Sequence, residues 1–185
     1  MTPSPGTWRR SDGEAVEWPD AVAAWSEAAV PILRGVASRY NATITYVEFA
    51  AAVQDATDIE TRSLLHNWIG DVLRAVASTQ PPSEPMLTAL VIRADGTIGS
   101  GYADPLEDRS RSVPDDLEWH AAEQRLACYR YFGADVPADG GRPSLTSQVA
   151  NRRERARSKA PIRGVCVSCG LRLPASGRCD RCDPD

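Results

Sequence analysis

Two Cys-x-x-Cys pairs near the C-terminus constrain the fold of this 185-residue chain more than any other feature. Cys166 and Cys169 form the first pair, and Cys179 and Cys182 form the second after nine intervening residues. Each pair places two sulfur atoms on one tight turn, and two facing turns supply four ligands in a tetrahedral arrangement. This ligand set predicts one structural zinc ion in a small zinc ribbon, with no coordination position left for water.

Paired cysteines can also form disulfides or a thioredoxin-type redox centre, and both alternatives stay open at this point. The chain has no run of 18 apolar residues, and its first seven residues lack the basic start and apolar stretch of a signal peptide. We therefore expect a cytoplasmic protein with no membrane partner, and disulfides are rare in that compartment. A ribbon of this size buries almost no apolar core, so we expect it to unfold without zinc.

Charge is distributed unevenly along the chain, although the net formal charge is only −4. Residues 1–150 carry 12 arginines and 21 acidic residues, a balance of −9, whereas residues 151–185 carry nine basic and four acidic residues, a balance of +5. A basic arm before a zinc ribbon predicts binding to nucleic-acid phosphates. A solvated linker, or a latch that binds the acidic body, is the alternative. The predicted contacts in this arm are Arg152, Arg153, Arg155, Arg157, Lys159 and Arg163.

Apolar periodicity predicts several helices in the body of the chain. From Asp20 onward apolar residues recur at spacings of three and four, which indicates a helix that Pro31 kinks or breaks. Thr45 and Glu48 match a capping box, which predicts that a short helix follows. A third helix is predicted from about Thr61 onward. Its apolar stripe consists of Leu64, Leu65, Trp68, Ile69, Val72, Leu73 and Val76.

Extended segments flank these helices. Residues 43–45 are all β-branched, which predicts a short strand. Residues 86–93 form an apolar run, and a turn is predicted to connect this run to a return strand at 97–102. The order helix, strand, helix, helix, hairpin predicts a winged-helix-like α+β domain. Arg62 and Asn67 lie on the polar side of the third helix, where they are predicted to contact nucleic acid.

Three segments within residues 42–102 resemble the winged-helix core of the alkylguanine-DNA alkyltransferases and alkyltransferase-like proteins. Residues 44–50 resemble the family's V-[ST]-Y-G-E-[IL]-A segment, and residues 69–73 resemble its V-G-x-A-M segment. Residues 91–102 resemble its V-V-R-S-D-G-x-L-G-x-Y hairpin. The resemblance covers about one third of the chain, and it implies a winged-helix fold and an association with DNA.

The chain departs from this family at the residues that carry the family's chemistry. The family's nucleophile lies in a Pro-Cys-His-Arg segment, where this chain has Thr88 in place of the cysteine and Ala89 in place of the histidine. A threonine hydroxyl without an adjacent base is a poor nucleophile, so alkyl transfer is not expected. Asn67 stands where the family has the arginine that props the duplex open. The resemblance therefore implies an architecture and not an activity.

These patterns together predict a non-enzymatic, zinc-binding protein that associates with nucleic acid, and with DNA rather than RNA. Two alternatives stay open. The protein could be an adaptor that holds a protein partner through the ribbon. It could also be an enzyme acting on nucleic acid, with a site in the cleft between the wing and a helix that is predicted from Ser112 to Gly133 and carries His120. Neither of the two histidines has metal-ligand spacing to another ligand, and no catalytic residue is assigned. The predicted regions are an irregular lead-in at 1–19, the winged-helix-like domain with an added C-terminal helix at 20–143, the basic arm at 144–165 and the ribbon at 166–185.

Overall fold

The computed structural model describes residues 6–108, 114–159, 164–174 and 176–182, and it is an α+β structure. The chain divides after Val149 into two compact units, and each is described by itself. No helix among the described residues is long and apolar enough to cross a membrane. The elements are β1 (Thr7–Arg9), β2 (Ala15–Val16), α1 (Trp18–Ala37), β3 (Ile44–Thr45), α2 (Tyr46–Thr57), β4 (Ile59–Thr61), a 3₁₀ turn (Leu65–Asn67), α3 (Ile69–Thr79), a second 3₁₀ turn (Leu87–Leu90), β5 (Val91–Ile92), α4 (Ser100–Asp108), α5 (Leu117–Tyr131) and α6 (Ser147–Lys159).

Helix α1 is continuous over 20 residues, so Pro31 does not break it into two pieces. Proline removes one backbone hydrogen bond, but Pro31 lies on the exposed side of the helix. The opposite face is buried on both sides of the proline, with Trp25 and Ala29 before it and Leu33 after it. Packing of this face against the core keeps both halves in one helix.

Tryptophan side chains form the centre of the body's core. The rings of Trp25 and Trp68 are 0% and 1% exposed, and their centroids lie 4.5 Å apart. Trp18 contacts Trp25 edge to face at 6.0 Å. The indole nitrogen of Trp25 donates a hydrogen bond of 3.1 Å to the carbonyl oxygen of Ile59, which satisfies its buried polar atom. This cluster joins α1 to the start of α3.

The first 19 residues include two strands, so they are not the irregular lead-in that the sequence suggested. Strand β1 pairs antiparallel with β2 and also with β4, which gives a three-stranded sheet. Because Ile59–Thr61 is held in this sheet, the third helix begins at Ile69 and not near Thr61. The partner strand is distant in sequence, and local periodicity does not report such a pairing.

The predicted hairpin is reduced to a turn with a single bridge. Strand β5 pairs in parallel with β3, and Ile92 faces Ile98 in one antiparallel bridge. The expected return strand ends there, because residues 100–108 form α4. A Cβ atom on Gly101 would lie only 2.5 Å from Leu73 Cδ1 on α3, so the missing side chain lets α4 approach α3 closely. Residues 97–102 therefore do not form the long return strand of a β wing.

Two further helices follow. Helix α5 begins at Leu117 with Asp116 as its N-cap, whose carboxylate accepts a 3.0 Å hydrogen bond from the Trp119 N–H. The sequence predicted the start of this helix near Ser112, a position that lies outside the described residues. Helix α6 covers Ser147–Lys159, so part of the predicted basic arm is helical.

Candidate metal centre and basic helix

The four C-terminal cysteines come together in space. All four Sγ atoms lie within 4.8 Å of one another, and those of Cys169 and Cys179 are 3.5 Å apart. Ligands 2.3 Å from a tetrahedral zinc ion would be separated by about 3.8 Å, so this spacing suits one ion at the centre. The described part of the chain contains no other group of three or more His, Cys, Asp or Glu side chains that could hold a metal.

Backbone turns position the two pairs of ligands. The N–H of Cys166 donates to the Leu171 carbonyl oxygen at 2.8 Å, and the N–H of Gly170 donates back to the Cys166 carbonyl oxygen at 2.8 Å. Gly170 can close this turn because it adopts a φ of 71°, which side chains disfavour. In the second pair, the N–H of Cys182 donates to the Cys179 carbonyl oxygen at 3.1 Å. Each Cys-x-x-Cys segment is thus a tight turn, as its spacing predicted.

The thiols of Cys166 and Cys182 differ in acidity. Hydrogen bonds from the backbone N–H groups of Ser168 and Cys169 lower the pKa of Cys166 to about 6. In contrast, a hydrogen bond with Cys169 raises the pKa of Cys182 to about 12. A metal ion binds thiolates, so binding at this cluster releases the protons that the less acidic thiols still hold.

Helix α6 carries four of the predicted basic residues on an exposed surface. Every side chain from Ala150 to Ser158 is exposed. Arg152 and Arg155 are three residues apart and share one face of the helix, whereas Arg153 and Arg157 are four apart and share another. Lys159 is the last residue of the helix. The predicted contact Arg163 lies outside the described residues.

The two predicted contacts in the body are on its surface, but not on α3. Asn67 is exposed in the 3₁₀ turn before α3, and Arg62 follows β4 directly. The Arg62 guanidinium lies 5.2 Å from the centre of the Trp8 ring, a cation–π geometry. Because Ile59–Thr61 is a strand, these side chains do not form the continuous helical face that the sequence suggested.

Three side chains that carry reactive groups, those of Cys128, Thr88 and His120, are buried or hydrogen-bonded within the fold. The Cys128 thiol lies 3.5 Å from the Met86 carbonyl oxygen, and burial raises its pKa to about 12, so it is not a thiolate nucleophile. The Thr88 hydroxyl is buried and has no hydrogen-bond partner among the described residues, so no base activates it. His120 Nδ1 lies 2.6 Å from the hydroxyl oxygen of Tyr102.

Sequence reasoning missed Arg125, a cation that is only 3% exposed. Arg125 lies three and four residues after the buried Ala122 and Ala121, and three and four residues before the buried Cys128 and Tyr129. An arginine in the register of a buried helix face is the signal that could have revealed it.

A comparison of the chain with protein-family models, curated proteins and solved structures finds no match. The side chains described above are therefore the basis on which a function can be proposed.

Proposed function

We propose that the protein binds nucleic acid through the arginines of α6 and that the four cysteines hold one structural zinc ion. Closed sites with four cysteine ligands and two-residue spacing are typical of structural zinc. The ion would neutralise the thiolates and fix the turns that carry them. The zinc would have no open position for a water or a substrate, so its contribution would be structural.

The observation that supports nucleic-acid binding is the exposed arginine surface of α6. In the body, Arg9 pairs with Asp12 at 3.0 Å and Arg10 pairs with Glu60 at 2.8 Å. Helix α6 has one acidic residue, Glu154, among its four arginines. Guanidinium groups bind phosphate oxygens through pairs of parallel hydrogen bonds, so such a surface favours a phosphate backbone.

We propose DNA over RNA, and the cytoplasm as the compartment. The first choice depends on the resemblance of residues 42–102 to a family that acts on DNA. The choice of the cytoplasm depends on the four clustered cysteines, because thiols stay reduced and available to a metal in that compartment.

Fluorescence anisotropy of labelled duplex DNA, single-stranded DNA and RNA, titrated with the zinc-loaded chain at several salt concentrations, tests this function. We expect affinity for duplex DNA to fall steeply with salt, because each phosphate contact releases a counterion. Replacing Arg152 and Arg155 with Gln should lower the salt slope by about two if that face binds. The pair Arg153→Gln and Arg157→Gln examines the other face.

A matched control removes the same charge from the body. Arg9→Gln combined with Arg10→Gln disrupts surface ion pairs, and it should change DNA affinity by less than about twofold. The proposal is wrong if no probe binds at low salt, or if the body variant weakens binding as much as the α6 variants do.

A protein partner for the metal-binding segment is the second candidate, and a specific observation favours it. Three apolar side chains around the first cysteine pair are exposed: Val165 by 59%, Val167 fully and Leu171 by 47%. Apolar side chains grouped on a small exposed turn are typical of contacts with another protein. Binding through this surface would be insensitive to salt and would weaken in Val167→Ser. Binding through α6 would weaken as salt rises and would be unchanged in Val167→Ser.

A further inference from the structure

Arg125 is a buried cation without an ionic partner. Its guanidinium donates to two backbone carbonyl oxygens, that of Ala89 at 3.4 Å and that of Ser144 at 3.2 Å. Among the residues that the structure describes, no carboxylate lies within 4.0 Å of it. Glu118 is close enough to influence it, but the Glu118 carboxylate accepts a hydrogen bond from the Ile98 N–H at 2.9 Å.

The two carbonyl contacts do not satisfy this side chain. A guanidinium has five N–H donors, and the two carbonyls accept from two of them. A carbonyl oxygen has only a partial negative charge, whereas a buried cation is stable when a full opposite charge accompanies it. Burial lowers the pKa of Arg125 below its ordinary value, because a buried site is an unfavourable environment for the charge.

Arg125 borders a cavity of about 530 Å³ in the first unit. The cavity is large enough for a small organic ligand. Tyr129 and Ile92 contribute apolar surface to its wall, and the rest is mainly polar. The side chains with hydroxyl or amide groups are Asn41, Thr43, Ser144, Thr146, Ser147 and Gln148.

The N-terminus of α6 forms part of the same wall. The helix begins at Ser147, and the Thr146 hydroxyl accepts a 3.4 Å hydrogen bond from the Val149 N–H, as an N-cap does. The N–H groups of the first helical turn have no acceptor within a helix, and the helix dipole adds partial positive charge there. The cavity thus combines a buried guanidinium with a helix N-terminus, and both favour an anion.

We propose that this cavity binds the phosphate group of a small phosphorylated molecule, or free phosphate. A phosphate has three or more terminal oxygens and can accept from the guanidinium, the helix N-terminus and the hydroxyl groups at once, whereas a carboxylate offers two oxygens. The bound anion supplies the negative charge that Arg125 lacks. None of the exposed arginines of α6 lines this cavity, and the proposal does not depend on the proposed nucleic-acid binding.

The test uses a charge change at Gln148 rather than the removal of Arg125. Loss of Arg125 would leave the Ala89 and Ser144 carbonyls without a donor and could unfold the body. Gln148→Glu keeps the shape of the side chain, and an acidic residue in a first helical turn is compatible with folding. The matched control is Asn151→Asp, which makes the same amide-to-carboxylate change on an exposed residue of α6 that does not line the cavity.

The full-length, zinc-loaded protein is titrated by calorimetry with inorganic phosphate, with a nucleoside 5′-monophosphate and with acetate, all at one ionic strength set with chloride. We expect saturable phosphate binding with a stoichiometry of about one, at least tenfold tighter than acetate binding. Gln148→Glu should weaken phosphate binding at least tenfold, and Asn151→Asp should change it by less than about twofold. Tighter binding of the monophosphate than of phosphate would identify an organic ester as the ligand, and equal binding would identify free phosphate.

Three results would overturn the proposal. The first is the absence of saturable phosphate binding in the wild-type protein. The second is equal weakening by Gln148→Glu and Asn151→Asp, which would show that phosphate binding depends on the overall charge of α6 and not on the cavity. The third is acetate binding as tight as phosphate binding, which would exclude a site selective for phosphate.

Discussion

The two units of this protein differ in what holds them together. Residues 6–149 bury large apolar side chains, and Trp25, Phe49 and Leu33 are all 0% exposed. Among the described residues of 150–182, Cys179 alone is buried. The first unit therefore has the apolar burial that stabilises ordinary domains, at about 25 cal/mol per Å². The second has four sulfur ligands in place of a core, so its folded state should depend on a metal.

Metal removal is expected to have the largest effect of any single change, and it should affect the second unit and not the first. Cys169→Ser, or a strong chelator, should abolish zinc binding, because structural zinc supplies about 10–16 kcal/mol to segments of this kind. All five tryptophans lie between residues 8 and 119, so their fluorescence reports on the body alone. We expect zinc content to fall to zero while the Tm from tryptophan fluorescence changes by less than about 1 °C.

Cys128→Ser is the matched control for this variant. Cys128 is the one cysteine outside the cluster, so this change should leave the zinc content at one ion per chain. A loss of body stability that follows the zinc content across both variants would show that the two units are not energetically separate.

Loss of a central tryptophan is the reverse experiment. Trp25→Ala should destabilise the body by about 3–5 kcal/mol, because it removes a fully buried ring and leaves a cavity. Urea unfolding followed by circular dichroism measures this change, and zinc content should stay at one ion. Trp119→Ala is the control, since Trp119 is 44% exposed and its loss should cost about 0.5 kcal/mol. Similar losses from the two variants would contradict the assignment of the core.

The capping box of α2 offers a smaller perturbation within the body. The Thr45 hydroxyl accepts from the Glu48 N–H at 3.2 Å, and the Glu48 carboxylate accepts from the Thr45 N–H at 2.8 Å. Thr45→Ala should therefore lower the free energy of unfolding by about 1 kcal/mol, as measured in urea. Thr45→Ser keeps the acceptor and should restore most of it. Equal losses in both variants would mean that the methyl group, and not the cap, is what matters.

The smallest effect is expected at the exposed valine of the metal-binding segment. Val167→Ser should change stability by less than about 0.5 kcal/mol and leave zinc affinity within about twofold, because the side chain is fully exposed. Competition with a chromogenic chelator measures that affinity. A large loss would show that apolar packing contributes to this unit after all.

Local signals in the sequence predicted the features that local chemistry determines. The spacing of Cys166, Cys169, Cys179 and Cys182 predicted a cluster that the structure brings within 4.8 Å. The pair Thr45 and Glu48 predicted a capping box, and both of its hydrogen bonds are present. Each of these features depends on residues that are close in sequence, or on turns whose geometry the residue types dictate.

Features that depend on distant partners were not predictable in this way. The sequence predicted that a helix begins near Thr61, yet Ile59–Thr61 forms β4 because β1 provides a strand partner far away in the chain. The sequence predicted a return strand at 97–102, yet residues 100–108 form a helix that packs on α3. Arginine is a surface residue type, and the register of Arg125 with the buried face of α5 is the one sequence signal that could have indicated its burial.

The burial of Cys128 also has a practical consequence for labelling with thiol-reactive reagents. A maleimide reacts with an accessible thiolate, and a buried thiol with a pKa of about 12 supplies neither access nor charge. The metal-loaded protein should therefore take up no label, the metal-free protein should take up four, and the denatured chain should take up all five. One intact-mass spectrum would then report the state of both units in the same sample, without any introduced tag.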